Sequence, residues 1–374
     1  MRNIADNNTQ TFFALLRAGL WEHDVRLPGL GPDDFSAAYQ MAREQAVEGL
    51  ITAGLEHVVD EKIPQNIALA FTTQILQLEQ RNRAMNAFIA QLLEKLGDAG
   101  ISTLLVKGQG IAQCYERPLW RACGDVDFFL NEENYYKAID FFVPLAQGVE
   151  EENPANLHLG MTISNWIVEL HGTLRSGLWG RVDREIDSIQ EQTFQNKEVR
   201  VWKDGETDVL LPSPNNDVIF VFTHILQHFF MGGIGLRQIC DWCRLIYTYH
   251  KDIEVALLEE RLRKMGLMSE WKAFSALSVD YLGMPLKFMP LYSPSKKWSR
   301  KADRVIALIL ETGNFGHNRD NSYYKEYPYL VYKAISLWRN TWDSMRHFMI
   351  FPLDATKVWW NRLWVGIKTV AKGR

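Results

Sequence analysis

Apolar positions recur at intervals of three and four along the first hundred residues, most clearly in FSAAYQMAREQAVEGLITAGLEHV (35–58) and from Ile67 to Leu96. That spacing predicts amphipathic helices, the second ended by Gly97 and Gly100. The texture changes at ISTLLV (101–106), a short apolar run with β-branched members that predicts a buried strand. Lys107-Gly108-Gln109-Gly110 turns the chain into a short helix, IAQCYE, which stops before Pro118. DVDFFL (125–130) predicts a second strand, and Asn131 is placed to cap the helix EENYYKAIDFFVPLA. LHLGMTI (157–163) and WIVELHGTL (166–174) predict two more strands, with VRVW (199–202) as an edge strand. Past Pro212 and Pro214 helical spacing returns in NDVIFVFTHILQHFF, RQICDWCRLIYTYH and IEVALLEERLRKMG. The expected fold is therefore α+β, in three parts: an N-terminal helical region (1–96), an α/β domain with a small mixed sheet (97–205) and a C-terminal helical domain (206–374).

Composition narrows the function classes. The chain has 374 residues, 47% of them hydrophobic and 23% charged, with a net charge of −4, which is not the basic footprint of a nucleic-acid-wrapping protein. Four cysteines in this length do not make a disulfide framework, so a reducing compartment is expected. The first twenty residues carry acidic and amide side chains and no long apolar run, unlike a signal peptide. Nowhere do roughly 18 uncharged apolar residues run together, so no membrane span is expected. The expectation is a soluble, cytoplasmic protein. The tail from Met345, ending KVWWNRLWVGIKTVAKGR, is basic and Trp-rich. It is expected to bury its tryptophans against the helical domain, with peripheral contact to an anionic membrane as the lesser reading.

The candidate chemistry starts at Asp125 and Asp127. On a strand, residues two apart share a face, so both carboxylates point the same way. Two like charges that close stay ionised when a cation lies between them; the alternative is a solvated pair at a strand end. Upstream, LLVKGQGIAQCY is a strand–glycine turn–helix unit whose backbone N–H groups suit a phosphate, with Lys107 beside it. Downstream, Glu169 stands in an apolar strand on the same face as His171. Arg121, four residues before Asp125, has two readings of equal weight: a phosphate contact, or an ion pair with Asp125 or Glu116. His171 either orients Glu169, touches substrate or packs. His224 and His228 have the i, i+4 spacing of a metal-ligand pair but lack the glutamate of a zinc-protease motif; flanked by apolar residues they read as core histidines bonded to backbone or to an acid such as Asp241, with a lining of an acceptor pocket preferred over a zinc role. Cys240 and Cys243 have no second pair and read as core, while Cys114 and Cys123 flank the turn. Gly313-Asn314-Phe315-Gly316 reads either as a helix cap or as a loop reaching over the pocket.

This order of parts (phosphate turn, paired aspartates, a lone acid on a later strand) resembles the polymerase-β-type nucleotidyltransferase superfamily. More closely, the chain resembles the bacterial uncharacterised nucleotidyltransferase family in LLVKGQGIAQCYERPLWRACGDVDFFL (104–130), HLGMTISNWIVELHGTL (158–174), PSPNNDVIFVFTHILQHFFMGGIGLRQICDWCRLI (212–246) and GNFGH (313–317). The superfamily usually has a serine after the glycine of the turn, where this chain has Gln109. The resemblance implies a small mixed-sheet nucleotidyltransferase core. It implies Asp125, Asp127 and Glu169 as catalytic ligands of Mg²⁺ or Mn²⁺, and Lys107, Gly108, Gln109 and Arg121 on the nucleotide. His171, His224 and His228 would face the acceptor. The implied reaction moves a nucleoside monophosphate from an NTP to a hydroxyl and releases pyrophosphate. The alternatives are a non-catalytic, toxin–antitoxin-like binding protein and, third, a metal-dependent glycosyltransferase. The third ranks last because helices stand where its larger nucleotide-binding sheet belongs.

Overall fold

Four helices, α1 (Asn7–Trp21), α2 (Pro32–Gln45), α3 (Glu48–Glu56) and α4 (Gln65–Asp98), lead into a mixed five-stranded sheet. The computed structural model of the chain describes residues 6–27, 31–153, 156–316, 318 and 329–371. α4 covers the stretch that the apolar spacing predicts, and it ends where Gly100 takes φ +68° and the Ile101 N–H closes on Leu96 O at 2.9 Å. The strands are β1 (Leu104–Val106), β2 (Asp125–Phe129), β3 (Gly148–Val149), β4 (His158–Ile163) and β5 (Trp166–His171), in spatial order β1-β2-β5-β4-β3. Only the β2–β5 pair is parallel. The turn after β1 opens a short helix, α5 (Gly108–Ala112). Asn131 caps α6 (Glu132–Phe142), its side-chain oxygen accepting from Asn134 N at 2.9 Å.

Strand alternation decides what each sheet face does. Val126 and Phe128 of β2, with Val168 and Leu170 of β5, are buried in one core with α4 and α6, where Phe128 stacks on Phe142. Asp125, Asp127 and Phe129 point to the other face, where Phe129 meets Phe220 of α8 (Pro214–Met231) at 5.8 Å. A cleft between the sheet and α8 is left at the end of β2 that carries the aspartates.

Between sheet and α8 the chain forms α7 (Gly180–Gln195) and a hairpin, β6 (Val199–Asp204) with β7 (Thr207–Pro212). Here the expectation needs correction: VRVW is not an edge strand of the main sheet but half of a separate two-stranded one. Gly205 at φ +59° lets the chain turn back at once, so the strand finds its partner locally. After α8 come α9 (Leu236–Thr248), α10 (Val255–Met265), α11 (Met268–Asp280) and α12 (Lys296–Thr312). They share one apolar core with α1–α3, centred on contacts among Phe222, Trp242, Trp271 and Phe274.

Two further helices, Tyr329–Phe348 and Pro352–Ala371, follow. They hold on through Ile350, Phe351, Ala355 and Val358, all buried. Burial of the tail's tryptophans is found only in part: Trp359 is half-buried and donates to Thr341 Oγ1, whereas Trp360 and Trp364 are each 60% exposed, and Trp338 and Trp342 of the preceding helix are 67% and 55% exposed. The anchoring positions use up the core-facing stripe, so these rings fall on the opposite side. Among the described residues no helix is long and apolar enough to cross a membrane. All four cysteines are buried and free.

Glu270 of α11 is fully buried against Asp354. Burial, and then the neighbouring carboxylate, push its carboxyl well above the usual range. The folded protein therefore holds a proton that the unfolded chain releases near the ordinary glutamate value, and stability falls as pH rises above about 4.5. Glu270→Gln removes this contribution. The variant's melting temperature is expected to fall less than the wild type's between about pH 5 and about pH 8, and parallel curves would count against a proton held at Glu270.

Candidate active site

The site is built on a strained turn. Lys107 has φ +56°, ψ −141°, and Gly108 follows at φ +36°. A Cβ at Gly108 would lie 3.2 Å from Cys123 Sγ in a conformation that side chains rarely adopt, so glycine is required. A lysine in this region of φ/ψ costs on the order of 1–3 kcal/mol, and such strain concentrates at functional sites. The turn delivers Lys107 Nζ to 2.9 Å from Asp127 Oδ1.

Register brings the acids together. Asp127 pairs across the parallel ladder with Glu169, and Asp125 with Ile167. Asp125, Asp127 and Glu169 therefore line one cleft with Lys107, Gly108 and Arg237. The cleft measures about 220 Å³ and adjoins a second of about 310 Å³, and Lys107, Glu169, His224 and His228 line both. His171 Nε2 lies 2.8 Å from Asp127 Oδ1 and 3.4 Å from Glu169 Oε2, and His158 Nε2 lies 3.3 Å from that same glutamate oxygen.

A family model described as an uncharacterised nucleotidyltransferase matches residues 31–281, more than half of the chain, a span that includes Lys107, Asp125, Asp127, Glu169 and Arg237. The chain belongs to the uncharacterised nucleotidyltransferase family. No curated protein and no solved structure matches it.

In this family member the charges of the site are unevenly neutralised. The Asp127 carboxylate, then burial, then Glu169 push Asp125 up to about 6, against the pull of Lys107 and Arg237. Burial would raise Asp127 too, but the charge of Lys107 and the hydrogen bond from His171 outweigh it and hold that carboxyl below its ordinary value. Burial likewise opposes ionisation of Glu169, yet the hydrogen bonds from His158 and His171 hold it far below the carboxylate range. Lys107 is half-buried, and desolvation works against its charge, but Asp127 and Glu169 outweigh this and hold its pKa above the usual lysine value. Three converging carboxylates face one lysine, and the excess negative charge falls on Asp125. Hard oxygen donors carrying unneutralised charge fit Mg²⁺ or Mn²⁺. Because the Asp127 charge is the largest cause at Asp125, Asp127→Asn is expected to move Asp125 down towards 3.8 in the metal-free protein. Carboxyl-detected NMR titration checks this, and an unmoved midpoint would contradict the assigned cause.

The remaining sequence-predicted residues divide. His171, His224 and His228 line the clefts. Burial and then the charge of Lys107 depress both α8 histidines, His228 to about 4, so they are neutral at pH 7. Their rings meet edge-on at 4.4 Å, and Phe315 packs on His228 at 4.9 Å. The Gly313–Gly316 turn thus both ends α12, through Gly313 N on Ile309 O, and reaches the cleft. Gln109 lines neither cleft: it is 1% exposed, and its amide donates to Asn82 Oδ1 at 2.9 Å on α4. Arg121 also lines the first cleft, but it pairs neither with Asp125 nor with Glu116. Its guanidinium donates two 2.8 Å hydrogen bonds to Asp241 of α9, while Glu116 takes Arg244. Among the lining residues that the sequence does not single out are His158 and Arg237. Arg237 stands in the first turn of α9, donates to Ala122 O at 2.8 Å, and leaves its buried Nε without a partner.

Proposed function

We propose that this chain is a metal-dependent nucleotidyltransferase that moves a nucleoside monophosphate from an NTP to a hydroxyl acceptor. The observation that carries the reading is the convergence of Asp125, Asp127 and Glu169 with Lys107 on one cleft. Asp125, Asp127 and Glu169 would hold Mg²⁺ or Mn²⁺. When bound, the metal neutralises the triphosphate and lowers the pKa of the acceptor hydroxyl. Lys107 and Arg237 supply the positive charge toward the phosphates, with Arg121 on the same cleft wall held by Asp241. The acceptor oxygen bonds to the α-phosphorus, the bond to the pyrophosphate oxygen breaks, and the hydroxyl proton passes to water in the cleft. The chain's own part is positioning and charge placement. The larger cleft, with Asn153, Asn156, Thr173 and Gln227 on its wall, is where a polyhydroxyl acceptor fits. Pyrophosphate release from a panel of NTPs, with Mg²⁺ or Mn²⁺ and simple polyols, tests the reading. Metal-dependent release above background is expected; no release with any nucleotide would favour the second reading.

That second reading is a nucleotide-binding protein without chemistry. It is favoured by the Lys107–Asp127 ion pair, in which an ammonium group sits where a cation would. Nucleotide affinity unchanged by chelation of divalent ions distinguishes it.

A further inference from the structure

Beyond the three carboxylates, two imidazoles point at the same oxygens. His158 and His171 are direct cross-strand partners in the β4–β5 ladder, and Glu169 lies two residues before His171 on the same face. The ligating atoms of His158, Glu169 and His171 all lie within 4.8 Å of one another. Asp127 Oδ1, 2.8 Å from His171 Nε2, stands beside them. We infer that His158, His171 and Glu169, with Asp127 beside them, form a mixed nitrogen–oxygen site for a transition-metal dication such as Mn²⁺, Co²⁺ or Zn²⁺, in addition to any Mg²⁺ held by oxygen ligands at Asp125.

The geometry argues for it in two ways. A ring nitrogen carries one proton, yet His171 Nε2 faces Asp127 at 2.8 Å and Glu169 at 3.4 Å, and Glu169 Oε2 also faces His158 Nε2. Without metal, one N–H can reach Asp127 and the other Glu169; a cation instead takes a lone pair from both Nε2 atoms and from Glu169, and so also satisfies the 3.4 Å approach of His171 to Glu169. Second, the donor set is selective. Imidazole nitrogen suits first-row transition metals and zinc, whereas Mg²⁺ prefers oxygen throughout. Two imidazoles and a carboxylate open to a cleft leave coordination positions for substrate, and this group lines the larger cleft. Lys107 opposes a further positive charge, but it faces three carboxylates and its Nζ already sits on Asp127. The site stands on these side chains and does not depend on the transfer reaction.

Pulsed EPR of Mn²⁺ bound to the full chain, with Mg²⁺ present, tests it. Nitrogen modulation from coordinated imidazole is expected, and it should change when the histidines of the wild-type chain are labelled with nitrogen-15, which needs no substitution. His158→Ala and His171→Ala should each weaken Mn²⁺ binding by about tenfold or more and the pair should abolish the nitrogen signal, while Asp125→Asn keeps it. Mn²⁺ bound with oxygen couplings alone, or not bound while Mg²⁺ is, would overturn the inference and leave pyrophosphate release as a separate question.

Discussion

Asp127→Asn is expected to lower pyrophosphate release by on the order of 10³-fold or more while the chain stays folded. The residue is 2% exposed, faces Glu169 across the parallel ladder and takes Lys107 and His171 on one oxygen. Asparagine keeps an oxygen for those donors, so the packing survives. What is lost is the charge that Lys107 and the proposed cation both read. The nucleotide KM is expected to rise less than kcat falls, because charge placed for the transition state is removed. Activity within about tenfold of wild type, in a variant of unchanged melting temperature, would remove Asp127 from the metal site.

Asp241→Ala is expected to be the most damaging change to stability, about 3–5 kcal/mol. Arg121 and Asp241 are both almost fully buried and joined by two hydrogen bonds, and Tyr115 donates its hydroxyl to the same carboxylate at 2.8 Å. Truncating Asp241 strands a buried guanidinium. Replacing both partners, Arg121→Met with Asp241→Leu, is expected to cost much less, because no charge is left uncompensated. Chemical denaturation of the single and double variants checks the order. A single variant within about 1 kcal/mol of wild type would mean that water reaches the pair.

These two results sit on opposite sides of what the sequence reveals. Asp125 and Asp127 share a face through strand alternation alone, and the Lys107-Gly108 turn is local, so both are legible. Glu169 reaches them because β2 and β5 pair in parallel, which the long connection through α6, β3 and β4 allows. Arg121 is different. Its candidate partners nearby, Glu116 and Asp125, lose to Asp241, which α9 brings in from the far end of the chain's core. No local pattern encodes that. Gln109 follows a phosphate-type glycine, yet α4 behind the turn claims its amide.

His158 carried a signal that could have been read. Ser164 and Asn165 both take positive φ, at +49° and +70°, forming a two-residue hairpin turn. Such a turn fixes register, and His158 and His171 lie equally far from it on either side. The hairpin at 199–212 was legible in the same way from Asp204-Gly205. The exposed tryptophans of the C-terminal helices were not, since apolar spacing states that a stripe exists but not which stripe meets the core.

The central claim is that the carboxylates and Lys107 grip a metal-bound triphosphate, and a crystal structure with Mn²⁺ and a non-hydrolysable NTP tests it most directly. The account predicts anomalous density among Asp125, Asp127 and Glu169, with phosphate oxygens at Lys107 and the Gly108 backbone. A nucleotide seated elsewhere, or the cleft beside Lys107 left empty at saturating nucleotide, would contradict it.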